Sequence, residues 1–396
     1  MVTAESRPIP AGSKSLPAQR GAAKLPALKR IAPMSTTAPH DLGAVARQFQ
    51  INGEFHNAEP CGTGHINDTY AAVFDQGGAP VRYVLQRINH KVFKDPPALM
   101  ENLQRVTTHL GRKLAAEPDC TRRALRLVPA RDGTAFHRDP AGNYWRAFFY
   151  IERARTYDAL ESPEQAFQAA RAFGQFQRLL VDLPGPPLHE TIPGFHDTPR
   201  RFAQLEAAIS RDAVNRARLA RAEIEFAMQR KGITGRLRAA GLPQRVTHND
   251  TKLNNVMLED ATGEGLCVID LDTVMPGLVA YDFGDMVRSG TSPAVEDERD
   301  LSKVTMQFPM FEALLRGYLS SAGDFLTHAE RQHLAFAGKL ITFEMGIRFL
   351  ADFLAGDVYY KVRHEEHNLD RCRTQFRLIE SMEQQEERME ELVTRV

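Results

Sequence analysis

Three side chains able to orient a hydroxyl group and hold a divalent cation lie within one short stretch. Residues 246–258 read VTHNDTKLNNVML, so His248, Asp250 and Asn255 have the spacing H-x-D-x-x-x-x-N. In phosphoryl transfer, an Asp at this position accepts the proton of the attacking hydroxyl, and the Asn five residues later binds magnesium. The spacing therefore predicts a catalytic loop with Asp250 as the base and Asn255 as a metal ligand.

A second acidic side chain, Asp270, could bind the same cation. It follows the apolar run at 266–269, and the polar segment EDATGEG separates this run from another at 256–258. Two short apolar runs around a Gly-containing polar segment predict a β-hairpin, which would return Asp270 to the side of Asn255. Because carboxylate and amide oxygens suit magnesium, we predict Asn255 and Asp270 as metal ligands, with Asp272 assisting.

His248 has two interpretations. Phosphoryl transfer needs no imidazole at this position, which favours His248 as a brace of the loop. A metallohydrolase with His248, Asp250 and Asp270 as metal ligands is the alternative. That alternative leaves Asn255 unexplained, and the rest of the sequence has no second His/Asp cluster with ligand spacing.

The triplet Asp-Phe-Gly at 282–284 matches the magnesium-binding triplet of protein kinases. Asp270 lies 20 residues after Asp250 and Asp282 lies 32 after it, and only Asp270 follows directly from the hairpin. We therefore interpret Asp282 and Asp285 as structural carboxylates at the start of a helix, placed to accept N–H groups of the catalytic loop.

The composition is that of an ordinary globular protein. The 396 residues are 43% hydrophobic and 25% charged, enough for one large core or two lobes. Fifty basic and fifty acidic residues balance, so no basic excess points to nucleic acid or an anionic membrane as partner. The four cysteines include no C-x-x-C pair, which argues against a zinc site or a disulfide framework. We expect a cytoplasmic protein without a membrane-spanning segment.

The sequence divides into three regions. Residues 1–40 are rich in Pro, Ala, Ser, Lys and Arg and contain one acidic residue, Glu5, which predicts a disordered leader. A transit peptide is the alternative, although the Pro content opposes an amphipathic helix. Residues 41–152, the N-lobe, have the pattern of a small, mostly β lobe, and residues 153–396, the C-lobe, have a mostly helical pattern.

A glycine-containing turn occurs early in the N-lobe. Residues 59–70 read EPCGTGHINDTY and place two glycines between strand-like segments. Such a turn can lay its backbone N–H groups over phosphates, and a plain hairpin turn is the alternative. We predict Gly62, Thr63 and Gly64 as residues that cover the nucleotide.

The next strand, residues 82–88, lacks the Lys that usually grips the phosphates of a nucleotide. Adjacent strand residues face opposite ways, so either Gln86 or Arg87 points at the nucleotide, and charge complementarity favours Arg87. Residues 96–113 have helical spacing and carry Glu101, which we predict as the ion-pair partner of that cation. An exposed Glu in a first helical turn is the alternative.

Helix signals dominate the C-lobe. Ser162-Pro163 with Gln165 predicts one helix start, Thr198-Pro199 predicts a long helix to about Lys231, and the capping box at 327–330 predicts a helix of about 28 residues. Within the last helix, Glu344, Arg348 and Asp352 share one stripe. They form either a surface ion-pair ladder or, for Arg348, a partly buried contact with substrate.

The segments THNDTKLNNVML and CVIDLDTVMPGLVAYDFGD resemble the aminoglycoside phosphotransferase and choline kinase family, and within it the N-acetylhexosamine 1-kinase group. The resemblance covers about residues 42–375. It implies an α+β, two-lobe protein-kinase-like fold with a small β-rich N-lobe and a larger, mostly helical C-lobe. It also implies ATP and Mg²⁺ as cofactors and a small-molecule sugar as substrate, phosphorylated at the anomeric hydroxyl of GlcNAc or GalNAc.

The resemblance extends to individual residues. It implies that Lys252 stabilises the moving phosphoryl group, where a solvated Lys is the alternative, and it supports Arg87, since choline kinases carry Arg on this strand. The end of the aromatic run 144–152, near Tyr150, would be the hinge that contacts adenine. Residues implied to contact or surround the sugar are His65, Arg348, Asp357, Tyr359 and the polar loop at 188–199, in which His189 and His196 would otherwise be interpreted as surface residues.

Two alternatives remain at this point. The chain could be a kinase for another small hydroxyl acceptor, such as a different sugar, an aminoglycoside or an amino alcohol. It could also be a catalytically silent nucleotide-binding protein, as the missing Lys would indicate.

Overall fold

The computed structural model describes residues 40–62 and 66–396 of the chain. Almost all of the predicted leader and three predicted site residues, Thr63, Gly64 and His65, lie outside the described residues. Residues 42–396 form a compact unit of their own.

The N-lobe is built on an antiparallel sheet. Its elements are α1 (Leu42–Ala46), β1 (Glu54–Pro60), β2 (Asp68–Asp75), β3 (Pro80–Ile88), α2 (Pro96–Lys113), α3 (Cys120–Arg123), β4 (Leu127–Val128), β5 (His137–Arg138) and β6 (Tyr144–Phe149). The strands lie in the order β1-β2-β3-β6-β4, and β5 pairs with β6.

Strand alternation gives the sheet two different faces. On one face, Tyr83 and Leu85 of β3 are buried in a cluster with Trp145 of β6 and Val45 of α1. The opposite face carries Phe148 of β6, which belongs to the larger core that includes α2 and the C-lobe helices. The second face is therefore the one that packs on the rest of the molecule.

The C-lobe is mainly helical. Its elements are β7 (Ala154–Arg155), α4 (Pro163–Leu180), α5 (Thr198–Arg211), α6 (Arg221–Gln229), α7 (Arg236–Ala239), β8 (Arg245–Thr247), β9 (Val256–Glu259), β10 (Gly265–Val268), β11 (Met275–Gly277), α8 (Val279–Gly290), α9 (Phe308–Ala322), α10 (His328–Gln332), α11 (Leu334–Ala355), α12 (His367–Glu383) and α13 (Glu386–Arg395). A small antiparallel sheet followed by this helical part confirms the predicted α+β, two-lobe architecture. The boundary that we place at residue 152 falls between β6 and β7, which pairs with β9.

Several helix boundaries follow the predicted signals. Helix α2 spans the predicted residues, and the side chain of Ser162 accepts a hydrogen bond from Gln165 N at the start of α4. The capping box at Thr327 and Glu330 is also present. Each of these helices begins where a side chain or a Pro satisfies or removes an N–H group that would lack a partner.

Two predicted long helices are interrupted. The helix from Thr198 ends at Arg211, because Asp212 adopts a left-handed conformation and its carboxylate accepts the N–H groups of Arg216 and Ala217. The helix from the capping box ends at Gln332, and α11 begins two residues later. Apolar periodicity continues across both breaks, which explains why the sequence pattern did not show them.

No helix within the described residues is both long and apolar enough to cross a membrane.

Helices α4 and α9 pack at very short range. A Cβ on Gly317 of α9 would overlap the carbonyl oxygen of Phe167 and lie 2.8 Å from its Cα. The aromatic side chains Phe173, Phe311 and Tyr318 fill the core around this contact. The contact matters for the site because α4 also supports the catalytic loop, as described below.

Replacing Gly317 by Ala should therefore destabilise the fold by about 1–3 kcal/mol, since the added methyl group forces α4 and α9 apart. Urea unfolding of the purified variant measures the change. The matched control is Gly111→Ala in α2, where the new Cβ meets nothing within 4 Å. The control should be unchanged or more stable by up to about 1 kcal/mol. Equal stability of the two variants would contradict the close packing of α4 on α9.

Candidate active site

The catalytic loop, residues 248–255, is anchored at its start by a buried carboxylate. The N–H groups of His248 and Asn249 donate to the two oxygens of Asp282, at 2.8 and 2.6 Å. Asp282 is fully buried in the first turn of α8 and also accepts from Gln177 Nε2 on α4 at 2.6 Å. The interpretation of Asp282 as a structural carboxylate that accepts loop N–H groups is confirmed.

Asp285 has a different partner from the one expected. Its carboxylate pairs with Arg288 of the same helix at 2.8 Å. Asp285 lies almost one helical turn beyond Asp282, past the N–H groups at the start of the loop. The expectation that Asp285 also accepts backbone N–H groups of the loop was wrong, although its negative charge still acts on Lys252.

His248 is a brace, as interpreted from the sequence. Its Nε2 donates to the carbonyl of Ile269 at 2.9 Å, and its Nδ1 accepts from the N–H of Asp250 at 3.3 Å. The ring is buried against Phe173 and Phe176 of α4. With both ring nitrogens engaged by the backbone, His248 is unsuited to bind a metal, which argues against the metallohydrolase alternative.

The predicted hairpin is present and has the predicted consequence. Strands β9 and β10 pair with Val256 opposite Val268, and the N–H of Ile269 donates to the carbonyl of Asn255 at 2.9 Å. Asp270 therefore follows the hairpin at the end where the catalytic loop enters it. Asp270 returns to the side of Asn255, as the sequence predicted.

Asn255 is oriented by Asp250. Its Nδ2 donates to the carbonyl oxygen of Asp250 at 2.7 Å and to the carboxylate Oδ2 of Asp250 at 3.0 Å. Since the amide nitrogen is engaged, the Oδ1 of Asn255 is the atom left to meet a cation. An oxygen is the atom that magnesium requires, so the orientation of Asn255 fits the predicted role.

Asp270 lies in a strongly negative environment. It is open to solvent at the cleft, but partial desolvation by the surrounding protein and the charges of Asp272 and Asp250 raise its pKa to about 6. Neighbouring carboxylates that raise the pKa of Asp270 in this way favour a bound cation. Asp270 and the Oδ1 of Asn255 are hard donors that would hold Mg²⁺, with phosphate and water oxygens as further ligands.

Asp272 joins the two lobes. Its Oδ1 accepts from Arg146 Nη1 at 2.5 Å, and its Oδ2 accepts from Asn67 Nδ2 at 2.7 Å. Arg146 and Asp272 are both buried, with side chains 1% and 2% exposed. Both oxygens are engaged by N-lobe donors, which argues against the assisting role in metal binding expected for Asp272.

The cation that faces the site from the N-lobe is Arg146, and not Arg87. Gln86 lies opposite Arg146 in the paired strands and accepts from its Nε at 2.9 Å. Arg87 lies on the other face of β3 and pairs with Asp68 and, at 3.4 Å, with Asn143. The prediction for Arg87 was wrong because charge alone cannot tell which strand face packs toward the C-lobe.

Glu101 does not pair with that cation. Its carboxylate lies 2.9 Å from His189 Nε2 at an exposed position. The neighbouring Asn102 is buried and donates to the carbonyl groups of His189 and Val274 at 2.8 and 3.3 Å. Asn102, and not Glu101, therefore lies on the face of α2 that packs toward the C-lobe. The prediction that Glu101 forms an ion pair with the nucleotide-binding cation was wrong.

The remaining nucleotide-side residues lie at the edge of the N-lobe. Gly62 is exposed after β1 and has a φ of +84°. Tyr150 follows β6, and the guanidinium of Arg82 lies 4.0 Å from the centre of its ring. Arg122 donates to the carbonyls of Glu152 and of the residue after it, each at 3.1 Å, which supports the connection between the lobes. The roles of Gly62 and Tyr150 in nucleotide binding stay predictions.

Lys252 and Asp250 form an ion pair in the loop. Lys252 Nζ lies 3.1 Å from Asp250 Oδ2. Burial, the largest single influence, would raise the pKa of Asp250, but the charge and hydrogen bond of Lys252, together with other nearby positive groups such as Arg288, outweigh it and lower that pKa. The charge of Asp250 in turn raises the pKa of Lys252. At neutral pH the pair is therefore a carboxylate and an ammonium, which are the states that the predicted roles require.

Two arginines, Arg348 and Arg201, lie near each other and near Phe195 of the polar loop at 188–199. The guanidinium of Arg348 lies 5.4 Å from the ring of Phe195 and 5.9 Å from the ring of Tyr360. Burial and then the charge of Arg348 lower the pKa of Arg201, so the two cations repel each other. Neither has a carboxylate within 4.0 Å among residues 40–62 and 66–396. Arg348 is thus near Phe195 of the polar loop at 188–199. Contact of Arg348 with a sugar or phosphate stays a prediction.

The other members of the Arg348 stripe are buried and have separate functions. Glu344 accepts from His196 and Thr198, so the surface-ladder alternative was wrong. Asp352 accepts the N–H groups of Val358, Tyr359 and Tyr360 at 2.8–3.0 Å and shapes the turn after α11.

The two predicted residues of this turn differ in orientation. The side chain of Tyr359 is 62% exposed, whereas the carboxylate of Asp357 turns inward to Arg216 and Asn368. Asp357 therefore supports the turn without lining the site. Contact of Tyr359 with a sugar stays a prediction.

Three residues of the site were not identified from the sequence. Arg146 had a signal, since it is the one charged residue in the apolar run YWRAFFYI. His196 was interpreted as a surface residue apart from the resemblance, yet it is 8% exposed. Nothing in the local sequence singles out Arg201, whose importance comes from its proximity to Arg348.

An antiparallel N-lobe sheet, a helical C-lobe and a loop that holds the carboxylate of Asp250 beside the amide of Asn255 have the arrangement of a kinase-like phosphotransferase. The chain belongs to the phosphotransferase enzyme family, whose family model matches residues 57–320.

Solved structures show the same fold at low identity. An aminoglycoside phosphotransferase from Alicyclobacillus acidocaldarius is 12% identical with a TM-score of 0.60, covering 91% of this chain and 98% of that chain. A choline/ethanolamine kinase family protein from Mesorhizobium loti is 18% identical with a TM-score of 0.51, covering 89% and 98%. A microcompartment-associated aminopropanol kinase is 15% identical with a TM-score of 0.52, covering 88% and 98%. These likenesses establish the fold and leave the acceptor open.

Asp270→Asn tests the electrostatics of the cation site. The backbone of Asp270 is left-handed, with a φ of +57°, which Asn also tolerates. Removing the charge should lower turnover by at least about 10²-fold. It should also raise the melting temperature of the nucleotide-free protein at pH 8, and raise it less at pH 5.

The direction of these changes in melting temperature follows from the pKa of Asp270, which is about 6 in the folded protein and above the ordinary 3.8. Because this pKa is raised on folding, ionisation of Asp270 makes the folded protein less stable as pH rises between these two values. Thermal unfolding at both pH values, together with an activity assay, measures the two effects. A lower melting temperature at pH 8, or unchanged turnover, would contradict the assignment.

Proposed function

We propose that the protein is an ATP-dependent kinase that phosphorylates the anomeric hydroxyl of an N-acetylhexosamine, GlcNAc or GalNAc. Asp250 accepts the proton of the sugar hydroxyl and orients it toward the γ-phosphate. Asn255 and Asp270 hold Mg²⁺, which neutralises charge on the phosphates when bound. Lys252 exchanges its ion pair with Asp250 for the transferred phosphoryl group.

The N-lobe residues have supporting roles in this proposal. Gly62, with Thr63 and Gly64, covers the phosphates, and the chain near Tyr150 contacts adenine. The alternative of a catalytically silent nucleotide-binding protein was based on the absence of the usual Lys from β3. Arg146 on the neighbouring strand supplies a buried cation next to Asp272, so the site does not lack positive charge on its N-lobe side. The carboxylate and ammonium of the loop also remain in the states that transfer needs.

The charge of the acceptor side is the observation that carries the choice of substrate. Arg348 and Arg201 have no carboxylate partner among the described residues, and they repel each other. A choline, an ethanolamine or an aminoglycoside would bring a further positive charge to this pair, which is unfavourable. Guanidinium N–H groups are donors that match the hydroxyl and acetamido oxygens of a neutral sugar. His65 and Tyr359 complete the proposed contacts with the sugar.

The anomeric position itself is supported by the resemblance of the catalytic segments and of residues 346–360 to the N-acetylhexosamine 1-kinase group. The other hydroxyl groups of the same sugar are chemically similar acceptors. The experiment must therefore determine which hydroxyl group of the sugar carries the phosphate, as well as whether the phosphate is transferred.

Incubation with ATP, Mg²⁺ and GlcNAc or GalNAc should consume ATP and yield a phosphorylated sugar without a reducing end. Choline, ethanolamine and an aminoglycoside, tested in parallel, should give a kcat/KM at least about 10²-fold lower, because each adds a charge beside Arg348 and Arg201. Coupled ATP-consumption kinetics and a reducing-end assay measure both.

The matched control is Asp250→Asn, which should abolish turnover while nucleotide affinity stays within about twofold. A phosphorylated product that keeps its reducing end would overturn the anomeric assignment and leave the kinase intact. Faster turnover of a cationic acceptor would overturn the charge argument. If ATP is not consumed in the presence of any of these acceptors, the alternative of a catalytically silent nucleotide-binding protein replaces the proposed function.

A further inference from the structure

The peptide unit between Asn249 and Asp250 is held between two imidazoles. On one side, the N–H of Asp250 donates to Nδ1 of His248 at 3.3 Å. On the other side, the carbonyl of Asn249 accepts from Nε2 of His196 at 3.0 Å. Asn249 is left-handed, with a φ of +64°, so this peptide is the sharp point of the loop. Its orientation sets the direction of the Asp250 side chain.

His196 has an acceptor on each ring nitrogen. Its Nδ1 lies 2.8 Å from Oε1 of Glu344, and its Nε2 faces the Asn249 carbonyl. The other oxygen of Glu344 accepts from Thr198 Oγ1 at 2.7 Å. His196 is 8% exposed and Glu344 is fully buried, so water cannot substitute easily for either partner. A neutral imidazole has one N–H and satisfies one acceptor, whereas an imidazolium satisfies both.

We propose that His196 is a positioning residue, held as an imidazolium by Glu344, that fixes the peptide before Asp250 and thereby aims the catalytic base. The inference rests on the proposed function, because Asp250 needs a fixed direction only if it accepts a proton from an acceptor hydroxyl. Both ring nitrogens of His196 have partners within the protein, Glu344 and the Asn249 carbonyl. It acts through the backbone of the loop, from a polar loop that also carries Phe195 at the acceptor side.

The charges around His196 support the protonated form. Burial by itself would lower the pKa of His196, but the charge and hydrogen bond of Glu344 outweigh it and raise that pKa. Asp285 of α8 adds a further negative charge. Tyr281 of α8 lies 5.0 Å from the imidazole ring and stays neutral, because burial raises its pKa to about 12. Burial would raise the pKa of Glu344, but the charge and hydrogen bond of His196, and then the charge of Arg348 on the same helix as Glu344, contribute to lowering that pKa.

Loss of this proton would release the loop. When His196 deprotonates, one N–H remains for two acceptors, and the carboxylate of Glu344 is the stronger acceptor. The proton then stays on Nδ1, and the lone pair of Nε2 faces the Asn249 carbonyl. Since the pKa of His196 is raised, the bond to the loop is intact below pH 6.5 and is lost as pH rises through the raised value.

Two substitutions of His196 separate its two hydrogen bonds. His196→Gln keeps a donor near the Nε2 position, facing Asn249, and loses the donor to Glu344. His196→Asn keeps a donor near the Nδ1 position, facing Glu344, and loses the donor to the loop. We expect His196→Asn to be the more stable variant and yet to have a kcat about tenfold below that of His196→Gln, with the KM of the acceptor similar in both.

If His196 had only a structural role, the more stable of the two variants would also have the higher kcat. Thermal unfolding and steady-state kinetics of the two variants at pH 6.5 measure these orders. If the more stable variant is also the more active one, the positioning role is overturned.

Glu344→Gln tests the proton by a conservative change. The new amide can donate to Nδ1 of a neutral His196 while its oxygen still accepts from Thr198, so His196 keeps its Nε2–H on the loop. Wild-type kcat should fall about tenfold as pH rises above 6.5 through the raised pKa of His196. Glu344→Gln should retain kcat within about threefold at pH 6.5 and show no such fall. An equal alkaline fall in both proteins overturns the proposal.

Failure of this inference differs from failure of the proposed function. If the wild-type protein phosphorylates no acceptor, the proposed function fails before any variant is compared. If the wild-type protein is active and the His196 variants rank alike in stability and kcat, the function stands and the positioning role fails.

Discussion

The catalytic loop depends on one buried carboxylate. Asp282 accepts three hydrogen bonds, two from the loop backbone and one from α4, and these donors offset much of the cost of burying its charge. Burial still raises the pKa of Asp282, so each donor matters. With the first two loop residues fixed, His248 can brace the hairpin and Asp250 can meet Asn255. Without the hydrogen bonds to Asp282, the start of the loop would not be fixed, and the side chains of His248, Asp250 and Asn255 would not be held in one arrangement.

A second buried interaction joins the lobes next to the cation site. The pair between Arg146 and Asp272 removes two charges from water, a cost that good geometry must repay. Gln86 and Asn67 add the further hydrogen bonds that such a pair needs. The pair therefore fixes where the N-lobe sheet lies above Asp270. It also places positive charge beside carboxylates that would otherwise repel one another.

The repulsion between Arg348 and Arg201 underlies the proposed choice of acceptor. The same fold occurs in proteins described as aminoglycoside, choline/ethanolamine and aminopropanol kinases. In this chain Arg348 and Arg201 have no carboxylate partners among the described residues, whereas Glu344 pairs with His196. Specificity in such a site depends on unfavourable charge as much as on matching hydrogen bonds. In the proposed function, the fold supplies the reaction and these side chains would select a neutral acceptor.

The sequence by itself determined what depends on near neighbours. The spacing of Asp250 and Asn255, the hairpin that returns Asp270 and the caps of α4 and α10 all involve residues close in the chain, where local geometry leaves few alternatives. The tertiary structure decided what depends on which faces meet. It turned Gln86 and Arg146 toward the site instead of Arg87, and it paired His196 with Glu344 across 148 residues. Alternation shows that a strand has two faces, but only packing against another element decides which face is inside.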